Sequence, residues 1–167
     1  MGLTIRGISK AKRITCDGNS EEDPDDCCEH DRATDFPFGR DGLRNGCYVP
    51  DLGGSCREFS LRYSEYSQWL QTLFVAQYGV GIEEVCKIHR RFNGQPFLEL
   101  VNVANSSGGA AIGPKLSAKL LADFRASCRK IQKFFLEDLE TAWMWDVYKD
   151  YRAVLRLASN NGFVSYW

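Results

Sequence analysis

No stretch of this chain approaches the roughly 18 to 20 consecutive apolar residues of a membrane span. Its opening residues, Met1-Gly2-Leu3-Thr4-Ile5-Arg6, lack the apolar block of a signal peptide, and Arg6 stands where a myristoylation motif wants Ser or Thr. The expectation is a cytoplasmic protein with no membrane contact and no lipid anchor. Histidine is scarce, with two in 167 residues, and His30 has no second histidine at a familiar metal-binding interval. No Cys-x-x-Cys occurs, so the usual zinc-knuckle spacing is missing. No P-loop is present either: Pro114 separates Gly113 from Lys115 where that motif needs Gly-Lys followed by Ser or Thr. These absences leave no nucleophile, base and orienting group at recognisable spacing, and therefore no reaction to assign.

Cysteine, by contrast, is present and unevenly placed. Five of the seven fall at Cys16, Cys27, Cys28, Cys47 and Cys56, with His30 among them, in the part of the chain poorest in apolar periodicity. A segment that cannot build its own core often needs a cross-link or a metal, and thiolates beside an imidazole suit zinc. An odd count without a secretion signal favours reduced thiols or a closed structural zinc site over a full disulfide framework. The candidate metal ligands are thus Cys16, Cys27, Cys28, His30, Cys47 and Cys56, and the bland alternative is a set of loop cysteines. A Cys/His nucleophile using His30 or His89 has the right residue types, but nothing in sequence brings them together. Charge is uneven in the same way: residues 1 to 56 carry eleven acids against seven bases, and the remainder eleven acids against fourteen bases. The acids crowd between Glu21 and Asp31, which predicts a solvated, self-repelling excursion at about 16–35.

Periodicity supplies the fold. Leu3 and Ile5, and again Phe59, Leu61 and Tyr63, alternate with polar residues as half-buried strands do. Phe163 to Trp167 follows Asn160-Asn161-Gly162 and reads as a last strand, so one small antiparallel sheet joins both ends of the sequence. Cys47-Tyr48-Val49 reads as another short strand before Pro50. Residues 64 to 78 set Tyr66, Trp69, Leu70, Leu73 and Phe74 three and four apart, with Gly79 as the stop. A shorter helix covers 82 to 91. Pro114 begins a helix whose stripe, Leu116, Leu120, Phe124, Cys128, Ile131 and Phe135, runs unbroken to about 135. Leu139, Trp143, Val147, Val154 and Ala158 mark a final long helix. The sum is one α+β domain over 1–167, a small mostly antiparallel sheet packed against three or four helices.

Two further features invite a ligand. The run from Asn105 to Lys115, rich in glycine, enters a helix start, where free N–H groups favour anions; a flexible connector is the plainer reading. Lys115, Lys119, Arg125, Arg129, Lys130 and Lys133 lie off the apolar stripe of their helix and form a basic face that could track phosphates, although no nucleic-acid motif accompanies it. Aromatics are also dense around Tyr63, Tyr66 and Trp69, residue types that stack on rings and anchor interfaces.

Taken in order, these pieces resemble a set of uncharacterised proteins of bacteria and their phages. That set shares a Met-Gly-Leu-Thr-Ile start, a D-G-L-x-x-G-x-Y segment, an S-Y-S-G-Y-N-x-W-R junction, an L-I-N-F-S-D-C-E-G-x-I-G-P loop and a short final strand. Here the counterparts are Met1 to Ile5, Asp41 to Tyr48, Tyr63 to Leu70, Leu100 to Gly108 with Ile112-Gly113-Pro114, and Gly162 to Trp167. Tyr63, Ser64, Tyr66, Trp69, Asn102 and Gly108 match; Glu65, Ser67, Leu70, Asn105 and Ser107 depart. The resemblance implies no known activity. It implies a phage or mobile-element setting, the host cytoplasm as location, and loss of the acidic loop residues on which any acid-dependent chemistry of the set would rest. The expectation is a non-catalytic binding protein for a host factor or small ligand, with Tyr63, Tyr66, Trp69, Asn102 and Asn105 at the site. Two alternatives stand beside it: a hydrolase or nucleotide-processing enzyme using the 105–115 loop, and a zinc-stapled interaction module.

Overall fold

The computed structural model describes residues 2–14, 28–30, 43, 46–88, 95–104 and 110–166. In chain order they form β1 (Gly2–Ile8), β2 (Ala11–Ile14), β3 (Cys28–His30), β4 (Gly46–Pro50), β5 (Cys56–Arg62), α1 (Tyr63–Tyr78), α2 (Ile82–Ile88), α3 (Leu98–Ala104), β6 (Ala110–Ile112), α4 (Pro114–Ala126), α5 (Cys128–Leu136), α6 (Ala142–Ala158) and β7 (Phe163–Tyr166). The architecture is α+β. Four strands make one antiparallel sheet in the order β5-β1-β7-β6, and three make a second in the order β2-β4-β3.

The alternation in β1 has its expected consequence: Leu3 and Ile5 are buried on one face, while Thr4 and Arg6, each following one of them, are only partly covered. That buried face receives α6. The two approach so closely at Gly7 that a Cβ there would lie 2.6 Å from the Val154 carbonyl oxygen, so only glycine admits the helix. The sheet joins both ends of the sequence as periodicity predicts, since Ile8 pairs with Phe163 and with Cys56. The small sheet turns against the large one through Tyr48, which meets Phe163 edge-on at 5.3 Å, with Ile8 beside them. A strand at 47–49 is thus correct, although it belongs to the second sheet.

Several helices differ from expectation. Six occur among the described residues instead of three or four. The predicted stripe from Leu116 to Phe135 is divided at Ser127 into α4 and α5. Ser127 donates its N–H to Asp123 at 3.0 Å and accepts from Ile131 at 3.0 Å, so the path bends there without losing its ladder. The last helix begins at Ala142, leaving Leu139 93% exposed; its 3.6-residue phase matched the helix but its position precedes it. Ala110–Ile112, expected within a glycine-rich connector, is instead the fully buried edge strand β6. Gly79 ends α1 with φ 77°, and Pro114 opens α4, both as their chemistry requires.

Candidate functional site

The start of α1 is set locally. The Arg62 N–H donates to the Glu65 side chain at 2.8 Å, which fixes the first turn and puts a carboxylate at the positive end of the helix dipole. Helical geometry then separates the aromatic residues that follow. Tyr63 faces outward, 51% exposed, whereas Tyr66 and Trp69 turn into the core. The three therefore do not form one surface. Asn102 lies on α3, Asn105 lies outside the described residues, and α3 itself packs against α1.

Inside the core, Tyr66 meets two further tyrosines, one from α6 and one from β7. Tyr151 of α6 stacks on Trp69 at 4.7 Å and on Tyr66 at 6.4 Å, and Tyr166 of β7 lies 6.5 Å from Tyr151. Tyr66, Tyr151 and Tyr166 are 4%, 0% and 4% exposed, yet none of their hydroxyls has a well-formed hydrogen bond. The Tyr151 hydroxyl sits between the other two, close enough to couple to both. Each phenol would ordinarily find a partner when buried. Another core tyrosine does so: the Tyr148 hydroxyl donates to the Phe124 carbonyl. Ser117, fully buried on α4, is a further polar side chain without a partner.

Burial sets the protonation of this cluster. Desolvation pushes Tyr66 up to about 12, with its contact to Tyr151 pulling the other way. Tyr151 and Tyr166 are raised well above the ordinary phenol value, first by desolvation and then by the neighbouring phenols. All three are neutral at physiological pH, and Tyr151 lies within loose hydrogen-bonding reach of both Tyr66 and Tyr166. What the arrangement can do chemically is donate hydrogen bonds to an acceptor; among the described residues its named contacts are aromatic side chains. Ala110, the first residue of β6, is paired with Tyr166; residues 105–109 lie outside the described residues.

The other candidates disperse. The strand register sets Cys28 across from Tyr48 and Cys47 across from Glu29, with His30 opposite Gly46, so these three lie on adjacent strands of the small sheet. Cys56 is on the outer strand of the large sheet, exposed, with Arg6 Nη2 3.7 Å from its sulfur. Cys16, Cys27 and His89 lie outside the described residues. Among the described residues no three His, Cys, Asp or Glu side chains gather as a metal would need. Cys86 and Cys128 are partly buried against the core, in keeping with small helix-face residues. At the helix start proposed for anions, Gly113 is buried and Pro114 occupies the first turn.

The basic face is also partly committed. Lys119 Nζ reaches Glu99 at 2.6 Å, Asp123 at 2.9 Å and the Gln95 carbonyl at 2.8 Å. Lys130 donates to the Gln77 carbonyl, and Lys133 lies 3.8 Å from Glu137. No helix among the described residues is long and apolar enough to cross a membrane. No family model, curated protein or solved structure matches the chain.

Tyr151 and Tyr166 are the site residues that sequence reasoning missed. Their only sequence signal was the hydroxyl itself: a tyrosine at a core position of a helix or strand needs a partner, and neither has one nearby in the sequence.

Proposed function

We propose that this chain is a non-catalytic binding protein whose ligand presents a hydrogen-bond acceptor to the Tyr66, Tyr151 and Tyr166 hydroxyls. The observation that carries the reading is the set of three buried phenols with no well-formed partner. An unmet buried hydroxyl costs about 1–3 kcal/mol, and a bound acceptor would recover that. Neutral donors favour binding over catalysis. The resemblance to bacterial and phage proteins gives the setting, a factor working in a host cytoplasm on a host molecule.

The test is a thermal-shift series with a panel of small carboxylates, amides and ketones. A ligand at about a hundred times its Kd adds about 2.7 kcal/mol, a rise of roughly 5–10 °C for a chain of this size. The expected result is a rise for the native protein that disappears in the Tyr66→Phe, Tyr151→Phe, Tyr166→Phe triple variant. Equal rises in both proteins would overturn it, as would no rise together with a triple variant less stable than the native chain.

A further inference from the structure

Among the described residues β5 is the outer strand of the four-stranded sheet and pairs with β1 on one side only. Cys56, Arg57, Glu58, Ser60 and Arg62 are all exposed along it. An uncovered edge of this length is a template for another strand unless it is blunted. Which of its main-chain groups are free follows from one bond just beyond it. Ser9 N–H donates to the Ser55 carbonyl at 2.9 Å, in the same register that sets Gly7 opposite Arg57. In an antiparallel ladder, bonded pairs alternate with unbonded ones. Arg57, Phe59 and Leu61 therefore spend their N–H and C=O groups on β1, and those of Cys56, Glu58, Ser60 and Arg62 point outward. The Arg62 N–H bears this out, since it is free to meet Glu65 at 2.8 Å.

A strand can join such an edge in antiparallel fashion only by setting outward residues against outward residues. For a second copy of the same strand this leaves few registers. One centred on Glu58 opposes two like carboxylates. One centred on Phe59 sets Glu58 against Ser60 and satisfies no charge. The register centred on Ser60 sets Glu58 against Arg62 twice over, by symmetry, and on the other face sets Phe59 against Leu61 twice over. Because Glu65 already holds the Arg62 N–H, this register forgoes that donation and rests on the two Ser60 bonds and on the Glu58 N–H donating to the Arg62 carbonyl, made twice by symmetry. Glu58 is available for this role: its side chain is 60% exposed and its contact with Arg6 is long, at 4.0 Å. Tyr63, half-exposed with no other evident reason, continues the apolar face of β5 at the rim of the same junction.

We infer that two copies of this chain associate by pairing β5 with β5 about a twofold axis at Ser60, Glu58 of each facing Arg62 of the partner subunit, so that two four-stranded sheets become one. A self-complementary patch of this kind is what a closed twofold dimer requires.

Sedimentation velocity of the full chain over a concentration series tests it. The native protein is expected to pass from monomer to dimer. Glu58→Arg and Arg62→Glu each place like charges opposite one another at both symmetric positions and should weaken the dimer by about tenfold or more. The double variant Glu58→Arg, Arg62→Glu restores the complementarity and should recover native association. Ser60→Pro, which removes an outward N–H on an edge strand and spares the β1 ladder, should be monomeric. Circular dichroism confirms that each variant keeps its fold. A native protein that stays monomeric throughout would overturn the inference, and so would a dimer insensitive to the single charge reversals or to Ser60→Pro.

Discussion

The Tyr151 ring lies flat on the Trp69 indole, 4.7 Å between centroids and 3° from parallel. Trp69 also donates its indole N–H to the Met144 carbonyl at 3.2 Å, so one side chain of α1 is held to α6 by both its face and its edge. Phe124 of α4 stacks on the same indole at 6.4 Å. Three helices thus meet at a fully buried tryptophan, and the phenol cluster hangs from that joint.

Trp69→Phe keeps an aromatic ring but loses volume and leaves the Met144 carbonyl without its side-chain donor. A loss of about 2 kcal/mol is expected, read as a lowered urea midpoint with unchanged slope. A midpoint equal to that of the native protein would show that the joint carries no stability.

The core tyrosines should divide by their partners. Tyr148→Phe removes a donor to the Phe124 carbonyl and should lower stability by about 1 kcal/mol. Tyr151→Phe removes a hydroxyl with no well-formed bond and should leave the ligand-free protein within roughly 0.5 kcal/mol of native, or above it. Equal losses in chemical denaturation would mean that the Tyr151 hydroxyl is satisfied after all.

Alkaline pH should unfold the protein through the same groups. A phenol whose folded value exceeds its unfolded one binds its proton more tightly when folded, so its contribution is complete below the unfolded value and declines as pH rises past it. For Tyr66 that window runs from 10.0 to about 12. Stability is therefore expected to be flat with respect to these groups up to about pH 9.5 and to fall above it, with the buried phenols appearing at 295 nm only as the far-ultraviolet signal is lost. Smooth ionisation of every tyrosine near pH 10 in the folded state would contradict this.

Gly7→Ala places a methyl 2.6 Å from the Val154 carbonyl oxygen and 2.7 Å from its Cα, both main-chain atoms of α6. The helix must move off the sheet. A loss of at least about 2 kcal/mol is expected, measured by thermal or urea unfolding; a native-like midpoint would show that α6 has room to shift.

Lys119→Met should act as a packing and charge defect. It leaves Glu99 and Asp123, with side chains 11% and 14% exposed, facing each other without their cation. A loss of about 2 kcal/mol is expected, largely unchanged by added salt because the group is shielded from solvent ions. Loss confined to low salt would place the contact at the surface.

The sequence carried those parts of the fold that depend on neighbours a few residues away. Alternation in Leu3 and Ile5, the left-handed stop at Gly79 and the helix start at Pro114 are local chemistry. β6 was illegible because Ala110, Ala111 and Ile112 are few, two of them are poor strand formers, and glycines precede them; pairing with β7 alone makes them a strand. Leu139 was misplaced because a 3.6-residue phase extends backward past the true helix start. Of the candidate site, Tyr66 and Trp69 were legible as an aromatic pair one turn apart. Tyr151 and Tyr166 were not, because their meeting with Tyr66 is produced by the packing of α6 and β7 and leaves no trace in spacing.

The pairing of Ile8 with Phe163 has a kinetic corollary. β1 sits in the interior of its sheet, and one of its two neighbours is made only after nearly the whole of the sequence has been synthesised. Until β7 emerges, β1 and β5 present a two-stranded ribbon, which is marginal alone in water, and Tyr166 is not yet there to complete the phenol cluster. Closure over so long a loop slows folding relative to the helices, which form from local contacts. The large sheet should therefore be completed after the helices, because β1 must wait for β7.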